Sequence, residues 1–266
     1  MRLVWATDVH LNFTHLEERL AFYDSLKKEG DAILITGDIG EHNSAAKYLK
    51  QMHKCTALPV YFVLGNHDFY GGTVYAAYRN IRYMTANYPQ IVWLRDIKEP
   101  LWLTEDTILC GVDGWADGRY GDYAHSPVRL NDSVYIKELA VARHSSLLLE
   151  EMQRLADRDA TILNRQLKAA VKLAPKQILI ASHIPPYDFM STYRGEASHP
   201  YFMPFYSSKA LSDVITPFLD AHPTILFKII AGHTHGELRV QFKPHVTAMV
   251  GGAEYYRPQI NNVFEV

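Results

Sequence analysis

The chain has 266 residues, 48% of them hydrophobic and 21% charged, with a formal net charge of −2 at pH 7. This composition is enough for a sizeable core and excludes disordered, collagen-like and disulfide-scaffold classes. The balanced charge gives no basic excess for tight duplex binding, so nucleic acid is disfavoured as a partner. No run approaches the ~20 apolar residues needed to span a bilayer. The first residues also lack the basic start and long apolar run of a signal peptide. Cys55 and Cys110 are far apart and outside any CxxC pattern, which disfavours a disulfide framework. A cytoplasmic protein with no membrane association is expected.

In chain order, residues 3–6, Ala32–Thr36 and residues 60–64 are short apolar runs followed by polar or glycine punctuation, and are predicted as buried strands. Between the first two, Thr14 with Glu17 makes a capping-box pattern, and Leu16, Leu20, Tyr23 and Leu26 then recur at helical spacing. Ser44 opens a second predicted helix, which runs to Lys54 and turns Tyr48, Leu49 and Met52 inward. Strand–helix–strand–helix–strand is the pattern of an α/β layered fold. Residues 91–94 and 107–112 are further strands, and residues 135–174 are predicted helical, with a break near 157–161. The apolar runs 177–182 and 224–231 are strands on either side of a helix around Lys209–Ala221. Short strands at 237–242, 247–250 and 262–266 suit the edge of a second sheet. Two segments, 113–132 and 185–208, are rich in Gly, Pro, Tyr and charged residues. Long loops in compact enzymes often carry function, so these are expected to cap a site and set its specificity. No linker divides residues 1–266, and a single domain is expected.

Polar clusters follow five of the predicted strands: Asp8-Val9-His10, Gly37-Asp38, Gly65-Asn66-His67-Asp68, Ser182-His183 and Gly232-His233-Thr234-His235. Open α/β sheets bind ligands at the carboxyl ends of their strands, so five distant segments can converge. Asp, Asn and His offer oxygen and imidazole donors suited to Mn²⁺, Fe or Zn²⁺. Two carboxylates, three or four imidazoles and an amide exceed what one tetrahedral zinc needs and suit a pair of ions. Within Asp8-x-His10 and His233-x-His235, alternate residues of an extended segment would point the same way. The glycines before Asp38, Asn66 and His233 permit tight turns and close backbone approach.

In order and type these motifs resemble those of the calcineurin-like metallophosphoesterase superfamily, and the likeness spans the whole chain. It implies a four-layer α/β/β/α sandwich, with two mixed sheets flanked by helices and a two-metal centre at one sheet edge. By motif, Asp8, His10 and His235 would hold one ion, Asn66, His183 and His233 the other, and Asp38 would bridge them. His67 would be the catalytic histidine, with Asp68 as the carboxylate that orients it. The implied activity is hydrolysis of a phosphomonoester or phosphodiester of small or medium size. It would use two divalent ions (Mn²⁺, Fe²⁺/Fe³⁺ or Zn²⁺) and a metal-bridging hydroxide. Gly37-Asp38-Ile39-Gly40-Glu41 lacks the Asp-Arg-Gly of the Ser/Thr protein phosphatase branch, and its phosphate-clamping arginine is missing. A nuclease of the same superfamily is the alternative, and a non-catalytic scaffold the next.

Other residues invite a role. Arg119 and Arg194 could clamp phosphate, and His199 could touch substrate. The remaining histidines, His42 and His144 among them, suit solvated or capping positions. The aromatic run Tyr187, Phe189, Tyr193, Tyr201, Phe202, Phe205 and Tyr206 either lines a pocket for an aryl or base group or forms a small satellite core.

Overall fold

The computed structural model describes residues 1–41, 44–140, 145–193 and 195–266. His42, His144 and Arg194 lie outside them. The first half runs β1 (Arg2–Ala6), α1 (Leu16–Glu29), β2 (Ala32–Thr36), α2 (Ala45–Thr56), β3 (Val60–Val63), α3 (Val74–Asn87) and β4 (Ile91–Trp93). Then come β5 (Leu101–Trp102), β6 (Thr107–Gly111), short α4 (Asp132–Tyr135) and α5 (Lys137–Ala140), long α6 (Ser145–Val171) and β7 (Gln177–Ala181). A small hairpin of β8 (Thr192–Tyr193) and β9 (Glu196–Ala197) precedes α7 (Met203–Tyr206) and α8 (Lys209–Ala221). The chain ends in β10 (Leu226–Ala231), β11 (Leu238–Lys243), β12 (Val246–Val250) and β13 (Asn262–Glu265).

Two mixed sheets result, ordered β13-β1-β2-β3-β4 and β11-β12-β10-β7-β6-β5. Strands β1 to β4 run parallel, as do β12, β10, β7 and β6, and β13, β11 and β5 are antiparallel edge strands. Strand residues alternate between faces, and the burial follows that period. Leu3, Trp5, Leu34, Val63, Leu109, Leu179, Ile230, Met249 and Phe264 form one apolar layer between the sheets. Val4, Ala6, Ile33, Ile35, Phe62, Ile178, Ile180 and Ile229 belong to the larger core beneath the helices. The order helix, sheet, sheet, helix is the α/β/β/α sandwich expected from the sequence.

Four expectations need correction. Helix α6 continues through 157–161 without a break. Its Asp159 turns inward, where Arg95 Nε (2.7 Å) and the Gly114 N–H (2.9 Å) engage the carboxylate. Tertiary partners thus offset the weak local propensity. At α1, Thr14 Oγ1 donates to Leu11 O instead of capping, while the His15 N–H donates to Glu18 Oε2 at 2.7 Å. The buried face of α1 is Phe22, Tyr23 and Leu26, and Leu16 and Leu20 are exposed. Residues 262–265 do not extend the second sheet. As β13 they pair antiparallel with β1, Arg2 opposite Glu265 and Trp5 opposite Asn262. Asn261 leads into this pairing, donating its N–H to Trp5 O and accepting from the Thr7 N–H.

Lastly, Arg119 does not clamp anything in the cleft. Its guanidinium is bidentate to Asp157 on α6 (2.7 and 2.9 Å) and also reaches Asp117. The aromatic run divides: Tyr187 and Phe189 stack at 5.3 Å and pack on Phe242 at the margin of the larger core. Tyr206 instead stands edge-on to His233 at 5.3 Å. His199 is exposed and packs against Tyr201.

Candidate metal centre

All five polar clusters leave the carboxyl ends of β1, β2, β3, β7 and β10, which places them along one edge of the two sheets. The loops after β1 and β2 run side by side, with Asp8 N donating to Gly37 O, His10 N to Asp38 O and Leu11 N to Ile39 O. Their side chains do not converge through strand alternation, as the sequence suggested. Asp8, His10, Asp38, His233 and His235 all have positive φ, from 39° to 73°. Non-glycine residues rarely adopt that region, and clusters of them mark functional sites. A left-handed residue at the strand end curls each side chain back into a common space. A Cβ on Gly65 would collide with Asp38, and one on Gly232 with Thr7 and the Asp8 carboxylate.

One group of donors comprises Asp8, His10, Asp38 and His235, with one ligand atom from each lying within 4.8 Å of all the others. His10 Nε2 faces His235 Nε2 at 3.4 Å, His235 Nε2 is 3.4 Å from Asp8 Oδ1, and His10 Nε2 is 3.7 Å from Asp38 Oδ2. Ligands ~2.1 Å from a tetrahedral ion are separated by roughly 3.4 Å. The donors are therefore spaced as the corners of a coordination shell.

A second group lies on the far side of Asp38. Asn66 Oδ1 is 2.9 Å from His183 Nε2 and 3.0 Å from His233 Nδ1, and His183 Nε2 is 3.4 Å from Asp38 Oδ1. The remaining ring nitrogens are already used. His183 Nδ1 meets Thr36 O at 2.9 Å, and His233 Nε2 meets Phe205 O at 3.0 Å. A carbonyl only accepts, so each of those nitrogens carries its proton and leaves the inward nitrogen a lone pair, as a metal ligand requires. Asp38 thus stands between the groups, one oxygen toward His183 and the other toward His10.

The sequence profile of calcineurin-like phosphoesterases matches residues 1–237. The chain belongs to that family. Several solved structures share the fold at low identity. Phosphopantetheinyl hydrolase from Mycobacterium tuberculosis superposes with a TM-score of 0.58 at 17% identity, covering 96% of this chain and 90% of the other. A dimetal phosphatase from Danio rerio gives 0.56 at 12% identity, over 95% and 87% of the two chains. TT1561 from Thermus thermophilus gives 0.53 at 14% identity, over 94% and 88%. No curated protein matches the chain.

In this member of the family the charges are tuned by burial. Burial pushes His10 down to about 3, although Asp8 opposes it, and His233 down to about 4, with His183 adding to the effect. Burial also lowers His183. These imidazoles are neutral at pH 7. Asp38 is pushed well above the carboxylate range by burial and by the nearby Asp8 and Asp68. Burial works against Asp8 too, but the His235 hydrogen bond and the surrounding imidazoles hold it below the usual value. Crowded carboxylates and neutral imidazoles are a donor set that suits a cation.

His67 stands at the mouth of the site, its Nε2 3.9 Å from Asp38 Oδ2 and its backbone N–H donating to Asp38 Oδ1. The orienting role assigned to Asp68 is not what the structure shows. Asp68 is buried and accepts from the backbone N–H groups of Ile39 (3.0 Å), Gly40 (2.9 Å) and Gly65 (2.9 Å), tying the Asp38 loop to the Asn66 loop. Glu41 holds the ring instead, with Oε1 2.8 Å from His67 Nδ1. Sequence reasoning noted Glu41 only as a departure from another branch, though it lies three residues after Asp38. It also missed Tyr70 and Tyr255, which line the cleft beside Tyr206. The Tyr255 ring sits 4.5 Å from that of His10 and 5.2 Å from that of His235. A Tyr-Tyr pair beyond the last motif carries no signal of its own.

Proposed function

We propose that the chain is a metal-dependent phosphoester hydrolase with two divalent cations. Asp8, His10 and His235 hold one and Asn66, His183 and His233 the other, with Asp38 bridging. The observation that carries this is Asp38 itself, whose two oxygens face the two donor groups from opposite sides. Bound there, the ions supply Lewis-acid polarisation of the phosphoryl oxygens and an acidified water as nucleophile.

The protein's own groups do the rest. His67, its Nδ1 tied to Glu41, presents Nε2 to the cleft, where it can protonate a leaving alkoxide or hydrogen-bond a phosphoryl oxygen. Asp68 keeps the Asp38 and Asn66 loops in register through three backbone N–H groups. Segments 113–132 and 185–208 act as specificity loops, contributing Leu130, Asn131, Asp132 and Tyr206 to the cleft. The described residues lining that cleft include no lysine or arginine, which favours a small or medium phosphorylated molecule over a polynucleotide. No helix among the described residues is long and apolar enough to cross a membrane. The free, exposed Cys55 thiol suits a reducing, cytoplasmic setting.

The test is hydrolysis of p-nitrophenyl phosphate and bis-p-nitrophenyl phosphate by chelator-treated protein with and without added Mn²⁺. Turnover that appears with the metal and falls at least ~10²-fold in His67→Ala, a typical acid–base contribution, supports the proposal. Inactivity toward every ester under Mn²⁺ would reject it.

A further inference from the structure

We propose that Asp132 is the positioning residue for Asn66, and through it sets the affinity of the second cation site. This rests on the two-cation centre proposed above. The Asn66 amide has two ends of nearly equal shape, and only the oxygen can bind a metal. Its Oδ1 points to His183 and His233, while its Nδ2 donates to Asp132 Oδ1 at 2.8 Å. The Tyr70 hydroxyl donates to the same carboxylate oxygen at 2.6 Å and lies 3.2 Å from Asn66 Nδ2. An ionised carboxylate accepts only. A flipped amide would set Oδ1 against Asp132 and turn its N–H groups toward the cation. Asp132 therefore fixes the orientation of this ligand, as a carboxylate behind a metal-bound histidine fixes its tautomer.

Charge gives the second reason. The first donor group owns a carboxylate, Asp8, in addition to the shared Asp38. The second group consists of an amide and two neutral imidazoles, so its only directly placed charge is the shared one. Asp132 adds a negative charge one hydrogen bond behind Asn66, where it polarises the amide and raises the basicity of Oδ1.

The backbone holds Asp132 in place. Gly71 N donates to Tyr135 O (2.9 Å), Lys137 N donates to Gly72 O (3.0 Å), and Gly72 pairs with Ile136 in an isolated bridge. The end of α4 is thus stitched to the loop that follows Asn66. Asp132 also lines the cleft, so one side chain borders both the substrate space and the amide of the second donor group.

The experiment is calorimetric titration of metal-free protein with Mn²⁺, reading affinity instead of turnover. Wild type should show two binding steps, and His10→Ala, which disables the first group, identifies the step belonging to the second. Asp132→Ala should weaken that second step by roughly 10–100-fold and leave the other within about twofold. Asp132→Asn can still accept from Asn66 Nδ2 but carries no charge, so it should fall between wild type and alanine. Two unchanged affinities in Asp132→Ala would overturn the proposal. So would equal loss of both steps in Asp132→Ala and Asp132→Asn with a lowered unfolding temperature, which marks a purely structural residue. A wild-type chain that takes up fewer than two Mn²⁺ rejects the two-cation centre itself, a failure distinguishable from either.

Discussion

Replacing Glu41 by glutamine separates the two carboxylates that could serve His67. In the structure Glu41 Oε1 is 2.8 Å from His67 Nδ1, and the two side chains are 18% and 14% exposed, so water screens the pair only weakly. A hydrogen bond to a charged group contributes ~1.5–3 kcal/mol, and about 1.4 kcal/mol is tenfold in rate. Glutamine keeps an acceptor but loses the charge, so kcat should fall by roughly 10-fold at unchanged metal content. Alanine loses both, and the expected fall is roughly 100-fold. Asp68→Asn should behave differently. It turns an N–H₂ group toward the backbone donors of Ile39, Gly40 or Gly65, so the loop carrying Asp38 shifts and metal is lost together with stability. Steady-state hydrolysis of bis-p-nitrophenyl phosphate, alongside elemental analysis of dialysed protein, reads both effects. If Glu41→Gln kept wild-type turnover while Asp68→Asn lost turnover with its metal intact, Asp68 would be the orienting carboxylate after all.

Other outcomes follow from the same geometry. Asp38→Ala removes the group between the two donor sets and should cost bound metal, and two full equivalents by elemental analysis would contradict the bridging role. Arg95→Met leaves Asp159 buried without its ion pair and should destabilise the fold by ~3–5 kcal/mol in urea unfolding; a change under about 1 kcal/mol would show that the pair adds little. Burial first, and then the neighbouring Asp159, push Asp113 up to about 7 from an ordinary value of 3.8. The folded chain therefore keeps a proton that the unfolded chain loses, and this contribution is full below about 4 and lost as pH rises through about 7. Asp113→Asn should flatten the decline in unfolding temperature of metal-free protein across that range, and an unaltered slope would place its origin elsewhere.

What the sequence made legible was mainly local. Short apolar runs ended by Asp, Asn, His and Gly marked both the strands and the residues at their ends, and those strand ends do meet along one edge of the sheets. What it concealed depends on distant partners. Helix α6 crosses a polar stretch because Arg95, sixty-four positions away, receives Asp159. β13 joins the first sheet because β1 offers it a free edge, and an alternating run of four residues cannot announce which sheet it will complete. Glu41 and Asp132 stood in plain view as acidic residues in loops. Their roles appear only once the His67 ring and the Asn66 amide are placed beside them. The curl of Asp8, His10, Asp38, His233 and His235 into the left-handed region is uncommon for non-glycine residues, so strand alternation anticipates their convergence for the wrong geometric reason.

The most direct measurement is anomalous scattering from crystals soaked in Mn²⁺. Two peaks are expected roughly 3.5–4 Å apart, one among Asp8, His10 and His235, the other among Asn66, His183 and His233, with the Asp38 carboxylate between them. A single peak, or strong peaks away from Asp38, would contradict the two-cation centre.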